Sequence, residues 1–382
     1  MTSNELEILC IGNALVDVFV QGDEQLCTRL GISEPVQHIK IEKLHEILNT
    51  LKVPTAQEKP LTLPEFTMAS GGGAANVAKI AGFLGAKAGF IGALGRGEAK
   101  GPSFQGDEFG QLFERDLNAA GVKLQLPLKS SPTGLCLFLR AGTETRIIAS
   151  PSAALELSEG DINEEELKKA GVVVIDGFML DRPGMVDHIL RLTDRYGTTA
   201  VIDLSSAAIA RERVLEVLNY ARIHSLILFM NDKEAEAFCE GLKARGVGIQ
   251  DLGLAMDEDS QGASLLSAER RKPGSSFRRI CTLFQALTSG KRFPIIVVKL
   301  GERGAFIFSG GTIMRAETTA KIPGETTGAG DAFCAAFLTA WVRNKTISEC
   351  ATLGNKAARI VLDVAGTQVD GKALQSIVQL LK

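Results

Sequence analysis

The residues best placed to do chemistry lie between 323 and 337, in the stretch PGETTGAGDAFCAAF. Gly328, Ala329 and Gly330 carry no bulky side chain, so a backbone turn there can approach a ligand closely. The residues that follow, DAFCAAFLTAWVR, have the composition and apolar spacing of a helix. A glycine turn feeding a helix N-terminus aims several N–H groups and the positive end of the helix dipole at one spot, which suits a phosphate or a developing oxyanion. Asp331 sits at that spot. It has two readings, as a first-turn acid that steadies the dipole or as a group that handles a proton.

Two further segments have the same character. In MASGGGAANVAKIAGFLGAKAGFIGALG, glycines 71 to 73 precede a helix expected from about Ala74, and Asn76 lies in its first turn. In NDKE at 231–234, Asn231 and Glu234 stand three apart at the start of another helix, on one face. That spacing is also the signature of an ordinary capping box.

The elements that must position these residues can be read from the apolar runs. EILCIG (7–12), GVVVIDGF (171–178), TAVIDLS (199–205), SLILFMN (225–231) and PIIVVKLG (294–301) are apolar along their length and rich in β-branched residues. Between most of them lie helical patterns such as NVAKIAGFLGAK and ARERVLEVLNYARI. Fully apolar strands alternating with helices indicate a parallel sheet covered on both faces, a three-layer, doubly wound, mostly parallel α/β domain spanning residues 1–382. VDVFVQ (16–21), PVQHIKI (35–41) and TGLCLFLRAGTETRIIAS (133–150), the last a hairpin turning at Ala141-Gly142-Thr143, do not fit that sheet. We assign them to a small discontinuous β lid, drawn from about 16–41, 61–70 and 128–150, over the C-terminal edge where open α/β sheets bind ligands. Residues of about 241–279 are polar and Gly/Ser-rich and read as a surface insertion.

Composition narrows the classes. A chain of 382 residues, 45% hydrophobic, with a formal net charge of −3, can bury a substantial core and carries no field that would collect nucleic acid or an anionic membrane. No apolar run is long enough for a membrane span, and the N-terminus lacks the pattern of a secretory signal. Seven cysteines are scattered without metal-ligand spacing, which points to reduced core thiols and a cytoplasmic setting.

Together these motifs resemble the ribokinase-type (PfkB) carbohydrate kinases. GGGAAN with GFIGALG, and ETTGAGDAF, match that family's two signature regions. The likeness continues in order through GDEFGQLFERDLNAAGV, NDKE and VVKLGERGA. IGNALVDVFV and PTGLCLFLRAGTETRIIASPSAALELS are closer to the adenosine-kinase-like branch than to ribokinase.

The resemblance implies transfer of the γ-phosphoryl of Mg-ATP to a hydroxyl of a sugar or nucleoside. It makes Asp331 the catalytic base and Gly328, Ala329 and Gly330 the anion hole. It places Asp17, Asn13, Gly71, Gly72 and Asn76 at the substrate, Asn76 assisting Asp17, and Arg146 over the phosphates. Asn231, Gly301, Thr327 and Asn355 fall at ATP, and Glu234 acts on Mg2+ through water. Plain structural readings stand beside these: Asp17 as a turn acid, Asn76 as a helix cap, Arg146 as a solvated lid charge, Asn355 as a solvated helix residue. Glu325 departs from the family, many members of which carry Asp there.

Three rivals are weighed. A Rossmann enzyme would need GxGxxG after the first strand, and EILCIGNALVD has none. A noncatalytic nucleotide- or sugar-binding protein would lack the base or the anion hole, yet Asp331 and its glycine turn are present. Within the family, a sugar-phosphate or ketodeoxy-sugar-acid kinase is the alternative substrate class. Either a monomer or a lid-paired homodimer is compatible with the resemblance.

Overall fold

The computed structural model describes residues 5–51, 66–97, 105–142, 144–247, 276–288, 294–318, 328–362 and 371–381. Its main sheet has nine strands. From one edge the order is Thr312–Ala316, Ala305–Ser309, Ile295–Lys299, Leu226–Asn231, Thr199–Asp203, Ala170–Asp176, Leu6–Ile11, Ala88–Ile91 and Lys123–Gln125. All neighbours are parallel except the last two pairs at the Thr312 edge, which run antiparallel.

The apolar runs become strands because both of their faces are covered. Ile8, Cys10, Val172, Val174, Ile227 and Phe229 enter one core, while Leu9, Ile11, Val173, Ile175, Leu228 and Met230 enter the other. Strand side chains alternate with period two, so each uninterrupted run feeds two helical layers at once. One layer includes the helices Gly73–Phe83, Ala329–Val342 and Ile347–Leu362; the other includes Asp232–Ala244 and Ser276–Leu287.

The lid is a five-stranded sheet in the order Val36–His38, Glu144–Ser150, Gly134–Ala141, Leu15–Gly22 and Phe66–Gly71. Its hairpin pairs Ala141 with Glu144 across Gly142, whose φ of 62° suits glycine. Thr143 lies outside the described residues.

Several sequence boundaries change. The strand expected at 35–41 covers Val36–His38 alone, because Ile41 opens a helix, Ile41–Thr50, that buries Ile41, Leu44, Ile47 and Leu48. Leu128–Lys129 belongs to a separate two-stranded ladder with Leu94–Gly95, not to the lid. The single helix read in ARERVLEVLNYARI is two, Ala207–Glu212 and Val214–Ile223, joined at Arg213. The start of the expected 241–279 insertion is the last turn of Asp232–Ala244, with Gly241 and Leu242 buried, and its end lies in Ser276–Leu287. Residues 61–65 and 248–275 fall outside the described residues.

The helix Ala329–Val342 carries the candidate base and is buried from Ala332 to Ala340 without a break. Its composition of Ala, Phe and Cys follows from that position, since a helix enclosed on all sides needs no polar stripe. Phe333 and Phe337 lock it to the sheet, each meeting Phe229 edge-on, with centroids 6.3 Å and 5.3 Å apart. Phe337→Ala would leave a cavity under this helix. It is expected to cost about 3–5 kcal/mol, read as a lowered midpoint of urea unfolding with native far-UV circular dichroism retained in buffer.

Candidate active site

The parallel strands bring ionisable groups to one edge. Ala170–Asp176, Thr199–Asp203 and Ile295–Lys299 each end on a charged residue, and Leu226–Asn231 ends on an amide. Register fixes their neighbours: Asp176 lies opposite Asp203, and Asn231 opposite Lys299. These are the C-terminal ends of four adjacent strands, where doubly wound sheets place their ligands.

The glycine turn meets this edge. Gly328 has φ 81°, a left-handed conformation that favours glycine, and it caps the helix Ala329–Val342. Asp331 is in the first turn of that helix. The Asn76 side chain, from the first turns of Gly73–Phe83, donates Nδ2 to Asp331 Oδ2 at 2.9 Å. Residues 255 positions apart in sequence are thus in direct contact. The helix-cap reading of Asn76 is overturned, because Gly72 holds that position.

Burial pushes the Asp331 carboxyl up to about 7, helped by the Asp203 charge, while the Asn76 hydrogen bond and Lys299 oppose the rise. Asp17 is likewise raised to about 7, mainly by burial, with Lys79 opposing and Asp331 adding to the shift. Glu234 moves upward for the same first reason, with Asp203 next. The carboxylates lie close enough to disfavour one another's charge.

Asp17 is no turn acid. It lies within the lid strand Leu15–Gly22, opposite Ala69 and Cys136, and its carboxyl occupies the space that a side chain on Gly71 would fill. Gly72 has φ 97°, and its Cα faces the Asn13 carbonyl so closely that a Cβ there would collide with it. Asn13 is buried and accepts from Arg182 Nη2 at 2.9 Å. Asp17, Asn13, Gly71, Gly72 and Asn76 therefore form one wall next to Asp331.

The NDKE element makes a complete capping box. Asn231 Oδ1 accepts from the Glu234 N–H at 2.9 Å, and Glu234 Oε2 accepts from the Asn231 N–H at 2.8 Å. Glu234 Oε1 also accepts from Asn231 Nδ2 at 2.7 Å. Each carboxylate oxygen keeps a second lone pair for water. Gly301 follows Lys299 by two residues, in a left-handed conformation with φ 59°.

Arg146 stands elsewhere than its expected role requires, and Asn355 departs from its plain structural reading. Arg146 pairs with Leu139, which pairs with Val20, so the pleat puts it on the lid face opposite Asp17. There Nη1 donates to the Ile32 and Ser33 carbonyls and Nη2 to Glu24 Oε2, so it is neither solvated nor aimed at the candidate site. Asn355 is buried, with Nδ2 donating to the Ala316 and Glu317 carbonyls at 3.2 Å and 3.3 Å, which overturns the solvated-helix reading. Thr327 and Glu325 lie outside the described residues.

Sequence reasoning missed Lys299, Asp203, Asp176, Lys79 and Arg182. Lys299 Nζ sits 2.7 Å from Asp203 Oδ2, both largely buried. Lys79, on the face of its helix that carries Asn76, donates to Ser70 Oγ at 3.0 Å; burial lowers its pKa against the pull of Asp116, Asp17 and Asp331. A signal was present. Three apolar strand runs each end on one ionisable residue, and a lysine interrupts the otherwise apolar NVAKIAGFL.

No helix among the described residues is long and apolar enough to cross a membrane, and all seven cysteines are free, six of them buried.

The family model for pfkB family carbohydrate kinases matches residues 39–256 and 280–373. Adenosine kinase 2 of Arabidopsis thaliana is 23% identical, over 94% of both chains. The 5-dehydro-2-deoxygluconokinase of Halalkalibacterium halodurans is 24% identical, over 82% of this chain and 85% of its own. The structure of adenosine kinase from Sinorhizobium meliloti superimposes with a TM-score of 0.74 at 23% identity, covering 98% of this chain and 99% of that one. With the glycine turn, the half-buried aspartate and the lidded sheet edge all in place, the matched span settles the assignment: this chain is a member of the pfkB family of carbohydrate kinases.

Proposed function

We propose that this kinase moves the γ-phosphoryl of Mg-ATP to a hydroxyl held between the lid and the sheet edge, with Asp331 accepting the hydroxyl proton. The observation that supports this reading is the hydrogen bond from Asn76 to Asp331, which joins the first turns of two helices 255 residues apart in sequence. In a largely dissociative transfer the acceptor proton leaves late, so a carboxylate suffices as base. The N–H groups of the turn 328–330 neutralise charge on the phosphoryl in flight.

Mg2+ arrives with ATP. Glu234, whose carboxylate oxygens keep spare lone pairs, suits a hard cation that keeps most of its waters. Asn231, Gly301 and Asn355 are assigned to the nucleotide half, the last as a scaffold residue. We place the enzyme in the cytoplasm on its reduced thiols.

For the acceptor, a nucleoside is favoured by Phe19 and Phe138. Their rings stack at 4.8 Å on the lid face that carries Asp17, an apolar platform fit for a base. A sugar acid is the second reading, supported by Arg182 beside Asn13, a cation that a carboxylate would seek.

The deciding experiment is ADP release from Mg-ATP across nucleosides, free sugars, sugar phosphates and ketodeoxy sugar acids, with Asp331→Asn as the blank. Asp331→Asn is expected to lower turnover by about 10²–10⁴-fold with substrate binding retained; wild-type turnover would remove Asp331 from the chemistry. The same variant should be more stable at pH 8. The folded-state pKa of about 7 stands above the ordinary 3.8, so the stabilising share of this carboxyl is full at low pH and is lost as pH rises through 7. A rise of about 2–4 °C in Tm is expected, and a fall would contradict a strained buried charge. The wild-type kcat/KM for the best acceptor should decline below about pH 7, as Asp331 takes up its proton; a flat profile down to pH 5 would rule out a base with this environment. Asp17→Ala should raise KM for the acceptor by about tenfold or more with KM for ATP unchanged, and an unaltered acceptor KM would take Asp17 out of the pocket.

A further inference from the structure

Gly330 raises a question that backbone conformation does not answer. Unlike Gly328, it has no positive φ, so its place in the first turn of the helix is one that any residue's backbone can take. Its missing side chain leaves space. A Cβ at Gly330 would stand 3.2 Å from Lys299 Nζ. The lysine therefore reaches from the end of the strand Ile295–Lys299 to the very turn whose N–H groups face the transferred phosphoryl.

The ammonium is built to stay there charged. Asp203 Oδ2 holds Nζ at 2.7 Å, and the Phe229 ring lies 6.0 Å away. Burial alone would lower the lysine pKa, but Asp203 and then Glu234 outweigh it and hold the group above the ordinary lysine range. An ammonium has three N–H donors, and among the described residues Asp203 takes one. Among the described residues Asp203 Oδ1 has no hydrogen-bond partner, so the pair is not closed upon itself. A purely structural ion pair gains nothing from a glycine above it.

We propose that Lys299 is a catalytic cation that contacts the γ-phosphoryl group, with Asp203 as the counter-ion that keeps it in place before ATP arrives. The proposal rests on the kinase reading. In the transfer the acceptor oxygen forms a bond to the γ-phosphorus, the bond from that phosphorus to the β,γ-bridging oxygen breaks, and its electron pair leaves with ADP. The acceptor proton passes to Asp331. Through this exchange Lys299 remains protonated, offsetting charge on the non-bridging oxygens beside the turn 328–330.

The test compares affinities for Mg-ADP and for the Mg complex of the β,γ-imido analogue of ATP, by calorimetry on the full chain. Changing Lys299→Met together with Asp203→Asn removes both charges, so no lone ion is left buried. Lys299→Gln keeps an N–H for Asp203 and provides an independent variant should the double change fail to fold. Thermal unfolding of each variant is recorded alongside. The proposal expects affinity for the imido analogue to fall about ten- to a hundredfold, with Mg-ADP affinity kept within about twofold. Equal losses for both nucleotides, or no loss for either, would overturn it. A wild-type protein that binds neither nucleotide would instead overturn the kinase reading beneath it.

Discussion

The structure turns on the burial of several carboxylates around one ammonium. Asp176, Asp203, Glu234 and Asp331 lie at the carboxyl edge of the sheet, near enough that the Asp203 charge adds to the rise that burial gives Asp176, Glu234 and Asp331, and Lys299 is held among them. Buried charges need a partner and hydrogen bonds if they are not to unfold the protein. Asn76 provides a donor to Asp331, the backbone of Asn231 provides one to Glu234, and the N–H of Phe178 donates to Asp176 at 3.0 Å. The remaining imbalance shows as carboxyl groups poised near neutrality, a state useful to a proton acceptor and unfavourable for stability.

Such a site needs walls that do not move. The helix bearing Asp331 is enclosed by apolar packing, and its contacts through Phe333 and Phe337 with Phe229 fix it against the sheet. Across the cleft, the lid presents Asp17 from a strand interior and covers its other face with Val16, Val18, Val20, Leu135, Leu137 and Leu139. Glycines let these walls approach. At 71 and 330 the absent Cβ makes room for a charged side chain, whereas at 72 and 328 a positive φ also demands glycine. Positioning at this level is where phosphoryl-transfer catalysis gets most of its rate.

Much of this was legible in the chain. Uninterrupted β-branched runs required a sheet covered on both sides, and the hairpin at Gly142 and the helix starts at NDKE and after GGG followed from local chemistry. The misreadings share a cause. Ile41 continues an apolar strand pattern yet opens a helix, because its partners at 44, 47 and 48 are chosen by the lid face they cover. Arg146 looks like a lid charge until register places it on the far face with Leu139. Asn355 looks solvated until the ends of an edge strand supply its acceptors. Lys299, Asp203 and Asp176 were overlooked as ordinary strand ends.

By itself the sequence determined the class of architecture, the glycine turn with its aspartate, and the motifs by which the chain resembles its family, because each depends on residues close together along the chain. Tertiary structure alone decided which distant groups share a dielectric: that Asn76 donates to Asp331, that Asp203 holds Lys299, and that Gly330 leaves the ammonium its space. Local pattern encodes backbone geometry, but the energy of a charge depends on its burial and on its neighbours in space, and those are fixed only when the strands take their order in the sheet.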